Sequence, residues 1–491
     1  MLVAAEPLRR IAVRRHVWTS VWAACTAALV AWWLGTYPAL LSPDSASYTW
    51  QITHSHWYLG GSVVYDALQW LSMQLTGSVA ALTLLQVVTF AAAVTLVARG
   101  IHRLGVRTRY AAAAALVVCA APMTGAFVAY LSKDMLFVVG QLLCLAGLLE
   151  LLSKPERTWR PLPVGLLIAG TTTMTLCRQN GVEMLIVATV VVFVLARRVW
   201  RPVGVACLAG TAAWALVTFG IAPLAGATPA NSSLLLGPAY GDIGVVYRED
   251  PTLFTAADTI LMARVAPLSV WRDKDGCYSS DGLTSGTPDF VGNAAAVHTQ
   301  LDRLWLRLVV RAPARVLQAR LCRGSIAWDP FPAALHTVLP PLRTPADLYG
   351  WRSTLGPLAE DVLPDQPIPL WHRAVTTALH ATTAKDAQFL LWRGATWTYL
   401  AYFAVAVAAW RRRSLAIAAA AAFVLANQLV VLADVPNQIA RYMMGSLFMG
   451  AMLVPLAFAK RRVPALEGGE TAIAGDGGGE PEGEPATSGA V

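Results

Sequence analysis

Charge is scarce in this chain: 14% of its 491 residues are Asp, Glu, Lys or Arg, against 56% hydrophobic residues, and the mean hydropathy is +0.52. That balance excludes a set of soluble domains, which would have nowhere to put so many apolar stretches. The net charge of +9 does not point to nucleic acid, because Lys and Arg stand in short clusters between apolar segments, where they report topology. Cysteine is sparse as well. Of seven, Cys25, Cys119, Cys144, Cys177 and Cys207 lie in apolar stretches, which leaves Cys277 and Cys322 as the one pair able to bond, provided their region faces an oxidising compartment. The apolar run Val17 to Tyr37 has no small-residue cleavage site after it and reads as a retained first span, not a signal peptide. No internal repeat is visible, which weakens a transporter built from inverted repeats. Gly60-Gly61 follows no strand and reads as a turn, and Asp273-Lys-Asp275-Gly lacks the terminal Glu of a calcium loop.

What the chain has in abundance is apolar segments. Ten can be marked: Val17 to Tyr37, Val79 to Ala98, Tyr110 to Tyr130, Met135 to Leu152, Leu162 to Leu176, Val182 to Ala196, Val203 to Pro223, Gly394 to Trp410, Ser414 to Leu432 and Tyr442 to Ala459. Each is roughly 15 to 21 residues long, near the length that crosses a hydrocarbon core of about 30 Å. The turn Arg178-Gln179-Asn180 separates two short ones, since a charge at the bilayer centre is costly. Basic clusters occupy every alternate loop: Arg9 to Arg15, Arg99 to Arg109, Lys154 to Arg160, Arg197 to Arg201, Arg411 to Arg413 and Lys460 to Arg462. By the positive-inside rule these loops are cytoplasmic, so both termini are expected in the cytoplasm of a multi-pass cell-membrane protein.

The expected fold is an all-α polytopic membrane protein of about ten transmembrane helices, with a mainly helical or irregular extracytoplasmic domain. Residues 1–223 form a module of seven helices with a first outer loop at 38–78; 224–393 form the outer domain; 394–459 add three helices; and 460–491, rich in Gly, Glu and Pro, read as a disordered cytoplasmic tail. Amphipathic stretches are expected from Asn293 to Arg311 and Pro313 to Arg323, and Trp57 to Leu75 with Pro313 to Arg323 read as helices lying in the interface plane.

Four polar clusters would lie at one depth, the outer interface: Ser42-Pro43-Asp44-Ser45-Ala46-Ser47-Tyr48, Ser132-Lys133-Asp134, Arg178-Gln179-Asn180, and Asp434 to Tyr442. Cations and carboxylates there suit a lipid-phosphate substrate, whose tail stays in the bilayer while Arg or Lys binds its phosphate. A carboxylate opposite can take the proton of an attacking hydroxyl. Asp44 is the candidate base and Asp134 the second carboxylate; Lys133, Arg178 and Arg441 are candidate phosphate contacts, with Tyr48, Asn180 and Tyr442 beside them as substrate-binding candidates. Plainer roles stand next to these: Asp44 as a helix N-cap, Lys133 and Asp134 as a local surface pair, Arg178 and Arg441 as snorkelling side chains. His54 and His56 with Asp44 make a weak metal candidate, because a two-residue spacing does not share one helical face. The sequon Asn231-Ser232-Ser233 matters only in a host that glycosylates it.

An acidic residue just past the first span, interfacial segments after it, a short second outer loop with its own acid, and a large late outer domain resemble the GT-C superfamily of polyprenyl-phosphate-sugar-dependent glycosyltransferases, which includes protein mannosyltransferase- and aminoarabinose transferase-like members. The resemblance implies an inverting transferase that moves a sugar from a polyprenyl-phosphate donor to a cell-envelope glycan, lipid or protein. It places the catalytic carboxylate on Asp44 and the phosphate-binding cation on Lys133, Arg178 or Arg441. Asp44 is followed by Ser45, not by a second acid, and a divalent cation is left open. The alternative is a transporter or flippase of a lipid-linked or polar solute, which predicts charges deep within spans; Glu150 and Glu183 lie near span ends instead.

Overall fold

The computed structural model describes residues 5–229, 236–274, 276–284, 286–331 and 367–460. The glycosylation sequon at Asn231, Asp275, and the tail after residue 460 lie outside them. Within them the chain is helical, and its only extended pairings are four isolated bridges.

Each apolar segment marked in the sequence is helical over most of its length. They are α1 (Ala5–Gly35), α4 (Ala80–Arg103), α5 (Thr108–Ala120) with α6 (Pro122–Val128), α7 (Lys133–Ser153), α8 (Pro161–Cys177), α9 (Gly181–Leu195) and α10 (Trp200–Ala215) in the first module. Two helices of the loop 38–78, α2 (Pro43–Thr53) and α3 (Val63–Thr76), stand between α1 and α4. Helix is the form these runs must take in lipid, where every backbone N–H and C=O needs an internal partner. Six described helices are long and apolar enough to cross a membrane: His16–Gly35, Ala80–Arg103, Lys133–Ser153, Trp200–Leu224, Leu415–Asp434 and Ala440–Phe458. The bent pair α5 and α6 makes a seventh if it is one span, and α8 and α9 are shorter.

The run Tyr110 to Tyr130, expected to be continuous, is broken by 64° at Ala121. Pro122 is the cause: it has no N–H to donate and its ring displaces the preceding turn. The break lets the chain after α6 run beside the start of the loop 38–78, where Leu40 N donates to Ala129 O at 2.9 Å and Leu131 N to Leu40 O at 2.9 Å. Val203 to Pro223 likewise loosens into a π-helical turn over Leu216–Ile221.

Helix α7 is the axis of the bundle. Its membrane window is 94% buried, so it is apolar all round and depends on close packing, not on an amphipathic stripe. Glycine makes the closest crossing: a Cβ on Gly140 would stand 2.7 Å from Gly170 O, and one on Gly170 would stand 2.7 Å from Cys144 N. Neither position tolerates a side chain, and the backbones of α7 and α8 meet there.

The segment 237–323 contributes α11 (Gly237–Glu249), α12 (Ala256–Val265), α13 (Leu268–Asp273), α14 (His298–Arg311) and α15 (Pro313–Arg323) around a separate core that includes Tyr240, Trp271, Phe290 and Leu304. The amphipathic stretch expected from Asn293 to Arg311 is two helices, with Val297 at the junction. A buried charge cluster joins α11, α14 and α15: Asp242 accepts from Arg323 at 2.8 Å, Arg320 at 2.7 Å and Trp305 at 2.9 Å. Cys277 and Cys322, the one pair the sequence left able to bond, form a disulfide. After α16 (Pro369–Ala381), which docks on α1 through Trp371 Nε1 to Ala31 O at 2.6 Å, the chain re-enters the apolar layer. It forms α17 (Gly394–Arg411), α18 (Ala422–Asp434) and α19 (Met444–Leu453).

Candidate functional site

Four segments far apart in sequence supply the site, and local structure explains how each is held. Ser42, not Asp44, caps α2: its hydroxyl accepts from Ser45 N while Ser45 Oγ accepts from Ser42 N, a reciprocal capping box. The plainer reading of Asp44 as the cap is thereby corrected; Asp44 sits in the first turn, with its side chain free to point elsewhere. Ser45 Oγ also donates to Leu131 O at 2.7 Å, fixing α2 against the start of α7. Ser132 caps α7 and sets Lys133 and Asp134 in its first turn. The segment 237–323 positions the last segment. Gln438 donates to Cys322 O at 2.9 Å, Ser280 N donates to Pro436 O at 2.9 Å, and Asn437 is hydrogen-bonded to Asp281, so the stretch before Arg441 is tethered to it.

Arg441 is the hub. Its Nη1 donates to Asp44 Oδ2, although the two residues are 397 positions apart, and its Nε lies 3.5 Å from Asp134 Oδ2. Arg178 reaches the other oxygen of Asp134 at 3.0 Å. Both guanidiniums approach the Tyr442 ring, Arg178 to 5.0 Å and Arg441 to 5.3 Å. Lys133 Nζ stands 5.8 Å from the ring of Tyr48. The structure therefore brings together Asp44, Asp134, Lys133, Arg178, Arg441, Tyr442 and Tyr48. Lys133 makes no ion pair with its neighbour Asp134, and Arg178 and Arg441 are paired with acids, so the local-pair and snorkelling readings of these residues do not describe the structure. Asn180 stands apart: it is at the start of α9 with no side-chain capping bond, and none of the described contacts ties it to the carboxylates. Its neighbour Gln179 instead donates to Leu59 O at 3.1 Å.

The acids differ in access. The Asp44 side chain is 39% exposed, whereas that of Asp134 is 4% exposed. Burial works to raise the Asp44 carboxyl, but the charge and hydrogen bond of Arg441, with Lys133 and Arg178 behind them, outweigh it and hold the group below its ordinary value. Asp44 is thus an ionised, reachable carboxylate at neutral pH. Burial pushes the Tyr48 phenol well up, and the carboxylates of Asp44 and Asp134 add to that.

One site residue was missing from the sequence reading. Asp66, on α3, is fully buried with neither carboxylate oxygen hydrogen-bonded, and burial pushes it up to about 7 against the opposing charge of Lys133. The helix explains it. Tyr65, Asp66, Gln69 and Ser72 form its buried face while Trp70, Leu71 and Leu75 are exposed, the inverse of a water-soluble amphipathic helix and the pattern of one that faces lipid. His54 and His56 are exposed and flank the Trp50 ring, at 4.8 and 5.6 Å. No group of three or more His, Cys, Asp or Glu able to hold a metal occurs among the described residues.

No family model matches this chain, and no curated protein does. Among solved structures it is similar to the crystal structure of ArnT from Cupriavidus metallidurans bound to undecaprenyl phosphate, at 16% identity over 90% of this chain and 77% of that one, with a TM-score of 0.34. Likeness at this level leaves the chemistry to be argued from the residues themselves.

Proposed function

We propose that this chain is a membrane glycosyltransferase of the GT-C type, using a polyprenyl-phosphate-linked sugar on the outer face and a cell-envelope acceptor. The observation that carries the reading is the meeting, at the outer ends of the spans, of one accessible ionised carboxylate with three cations drawn from three separate segments. A phosphate at the interface, with its prenyl tail in lipid, matches the cations. Lys133, Arg178 and Arg441 hold its oxygens by charge-assisted hydrogen bonds. Asp44 takes the proton of the acceptor hydroxyl as that oxygen attacks the anomeric carbon. The bond from that carbon to the phosphate oxygen breaks, and the pair of electrons leaves on the polyprenyl phosphate, with inversion. Asp134, buried and paired with both guanidiniums, orients Arg178 and Arg441. Tyr442, partly exposed beside the two guanidiniums, offers a ring face for a sugar, while Tyr48 is buried behind Lys133.

The transporter reading needs charges within the spans. Among the described residues, Gln141, Asn427 and Ser446 lie mid-span and are neutral and bonded to one another: Gln141 donates to Asn427 at 2.9 Å and Asn427 to Ser446 at 2.9 Å, which is helix packing, not a charged pathway. The test is transfer of radiolabelled sugar from polyprenyl-phosphate donors to envelope acceptors in membranes carrying wild type or Asp44→Asn at matched protein levels. A general base is worth about 10²- to 10⁴-fold, so the variant is expected to lose at least about a hundredfold. Transfer that survives the substitution removes Asp44 from the mechanism; absence of transfer with every donor removes the transferase.

A further inference from the structure

The far end of α7 carries a feature that the proposed chemistry does not use. Lys133 and Asp134 open this helix at the candidate site and Ser153 closes it, so its 21 residues separate the two ends by about 30 Å. There, on the face of the basic loops, a cavity of about 460 Å³ lies between the end of α7, the turn from α9 to α10, and the start of the span Leu415–Asp434. That volume falls within the range of roughly 300–1,000 Å³ typical of ligand sites.

Its lining joins the apolar Leu152, Leu195 and Ile417 to the cations Arg197, Arg198 and Arg412, with Glu156 as its single acid. Arg412 is engaged, donating to Leu104 O. Arg197 approaches the Phe193 ring to 5.3 Å, but neither Arg197 nor Arg198 has a carboxylate partner among the described residues, and both are exposed. The same face shows how this fold treats arginines that serve structure: Arg99, Arg103 and Arg160 all converge on Glu150, whose side chain is 2% exposed. Arg197 and Arg198 are left without such a counter-charge at the mouth of a cavity. Next to it, α9 turns Val190, Phe193 and Val194 outward, 56%, 42% and 64% exposed, a surface suited to acyl chains and of no use to a soluble anion.

We propose that this cavity binds one anionic phospholipid of the leaflet facing the basic loops, its phosphate held by Arg197 and Arg198 and its chains lying along the outer face of α9. The site is independent of the transferase reading and would exist equally in a transporter.

The experiment is native mass spectrometry of the full-length protein taken from bilayers of phosphatidylcholine with phosphatidylglycerol. Wild type is expected to retain one phosphatidylglycerol, and Arg197→Gln with Arg198→Gln to bind it about thirtyfold more weakly. Arg201→Gln, an exposed arginine of the same basic cluster that does not line the cavity, is expected to bind like wild type. Equal retention in the double variant, loss of equal size in Arg201→Gln, or displacement of the lipid by inorganic phosphate at matched concentration would each overturn the proposal. Wild type alone supplies a second measurement that does not need the variants to fold: its melting temperature in micelles rises with added phosphatidylglycerol and not with phosphatidylcholine. No difference between the two lipids refutes the site.

Discussion

Replacing Arg441 with Gln separates two tasks that the geometry gives to one side chain. Its guanidinium pairs with Asp44 and lies 3.5 Å from Asp134, and its own side chain is 14% exposed. Removing one member of a buried pair ordinarily costs about 3–5 kcal/mol because the other charge is stranded. Neither acid is stranded here. Asp44, 39% exposed, can be hydrated, which limits its share to about 0–1 kcal/mol. Asp134 keeps Arg178 at 3.0 Å. The expected loss of stability is therefore about 1–2 kcal/mol, measured by thermal unfolding in detergent. The loss of activity should be larger. A charged hydrogen bond to a phosphate contributes roughly 1.5–3 kcal/mol, a factor of about 10–150 in kcat/KM for donor in the transfer assay. The double variant Asp44→Asn with Arg441→Gln discriminates further. If Arg441 only positions Asp44, the double variant is no slower than Asp44→Asn alone; if it also binds phosphate, the two losses multiply. A stable Arg441→Gln protein with kcat/KM within about threefold of wild type, or a double variant equal to Asp44→Asn, would refute the phosphate contact.

Two further outcomes follow from other parts of the molecule. Asp66 has a folded-state value of about 7, raised by burial above an unfolded value near 4, so the folded state holds a proton that the unfolded state releases and stability falls as pH rises from about 4 to 7, by on the order of 4 kcal/mol in full. Asp66→Asn removes that loss: the variant should melt above wild type at pH 8, with the gap closing as pH falls to about 4, and parallel pH profiles would sink the assignment. The bond between Cys277 and Cys322 closes a loop with a separation of 45 residues, for which chain entropy predicts about 4 kcal/mol. Cys277→Ser with Cys322→Ser, or reductant on wild type, should lower the melting temperature accordingly, and transfer should weaken with it because Gln438, three residues before Arg441, hangs from Cys322 O.

The parts of this fold that were legible in the sequence are those governed by one strong term. A run of apolar residues near span length has almost no choice but helix in lipid, so every marked segment is helical whatever its neighbours do. The same physics made the site partly legible: charged residues at span ends are confined to a plane, so Asp44, Asp134, Arg178 and Arg441 had only two dimensions left in which to meet, and a 397-residue separation ceased to matter. Where competing terms are close, the reading failed. Tyr110 to Tyr130 was continuous by hydropathy, yet Pro122 stood in it, and a missing N–H outweighs an apolar side chain.

Asp66 escaped for a different reason. In a soluble protein, apolar residues on one helical face point to the core, and reading Trp57 to Leu75 as a helix in the interface plane attends to its apolar face and not to the residues on the face opposite. When the outside is lipid the inference reverses: Trp70, Leu71 and Leu75 belong outside, and the residues spaced to share the opposite face, Tyr65, Asp66, Gln69 and Ser72, belong inside. A carboxyl on the inward face of a lipid-facing helix is buried without being chosen for stability, since burial leaves both its oxygens unpartnered and its proton held to about 7. Such a group is retained at a cost, and the position of Asp66 within the electrostatic reach of Lys133 puts that cost at the edge of the cation cluster that the phosphate is proposed to occupy.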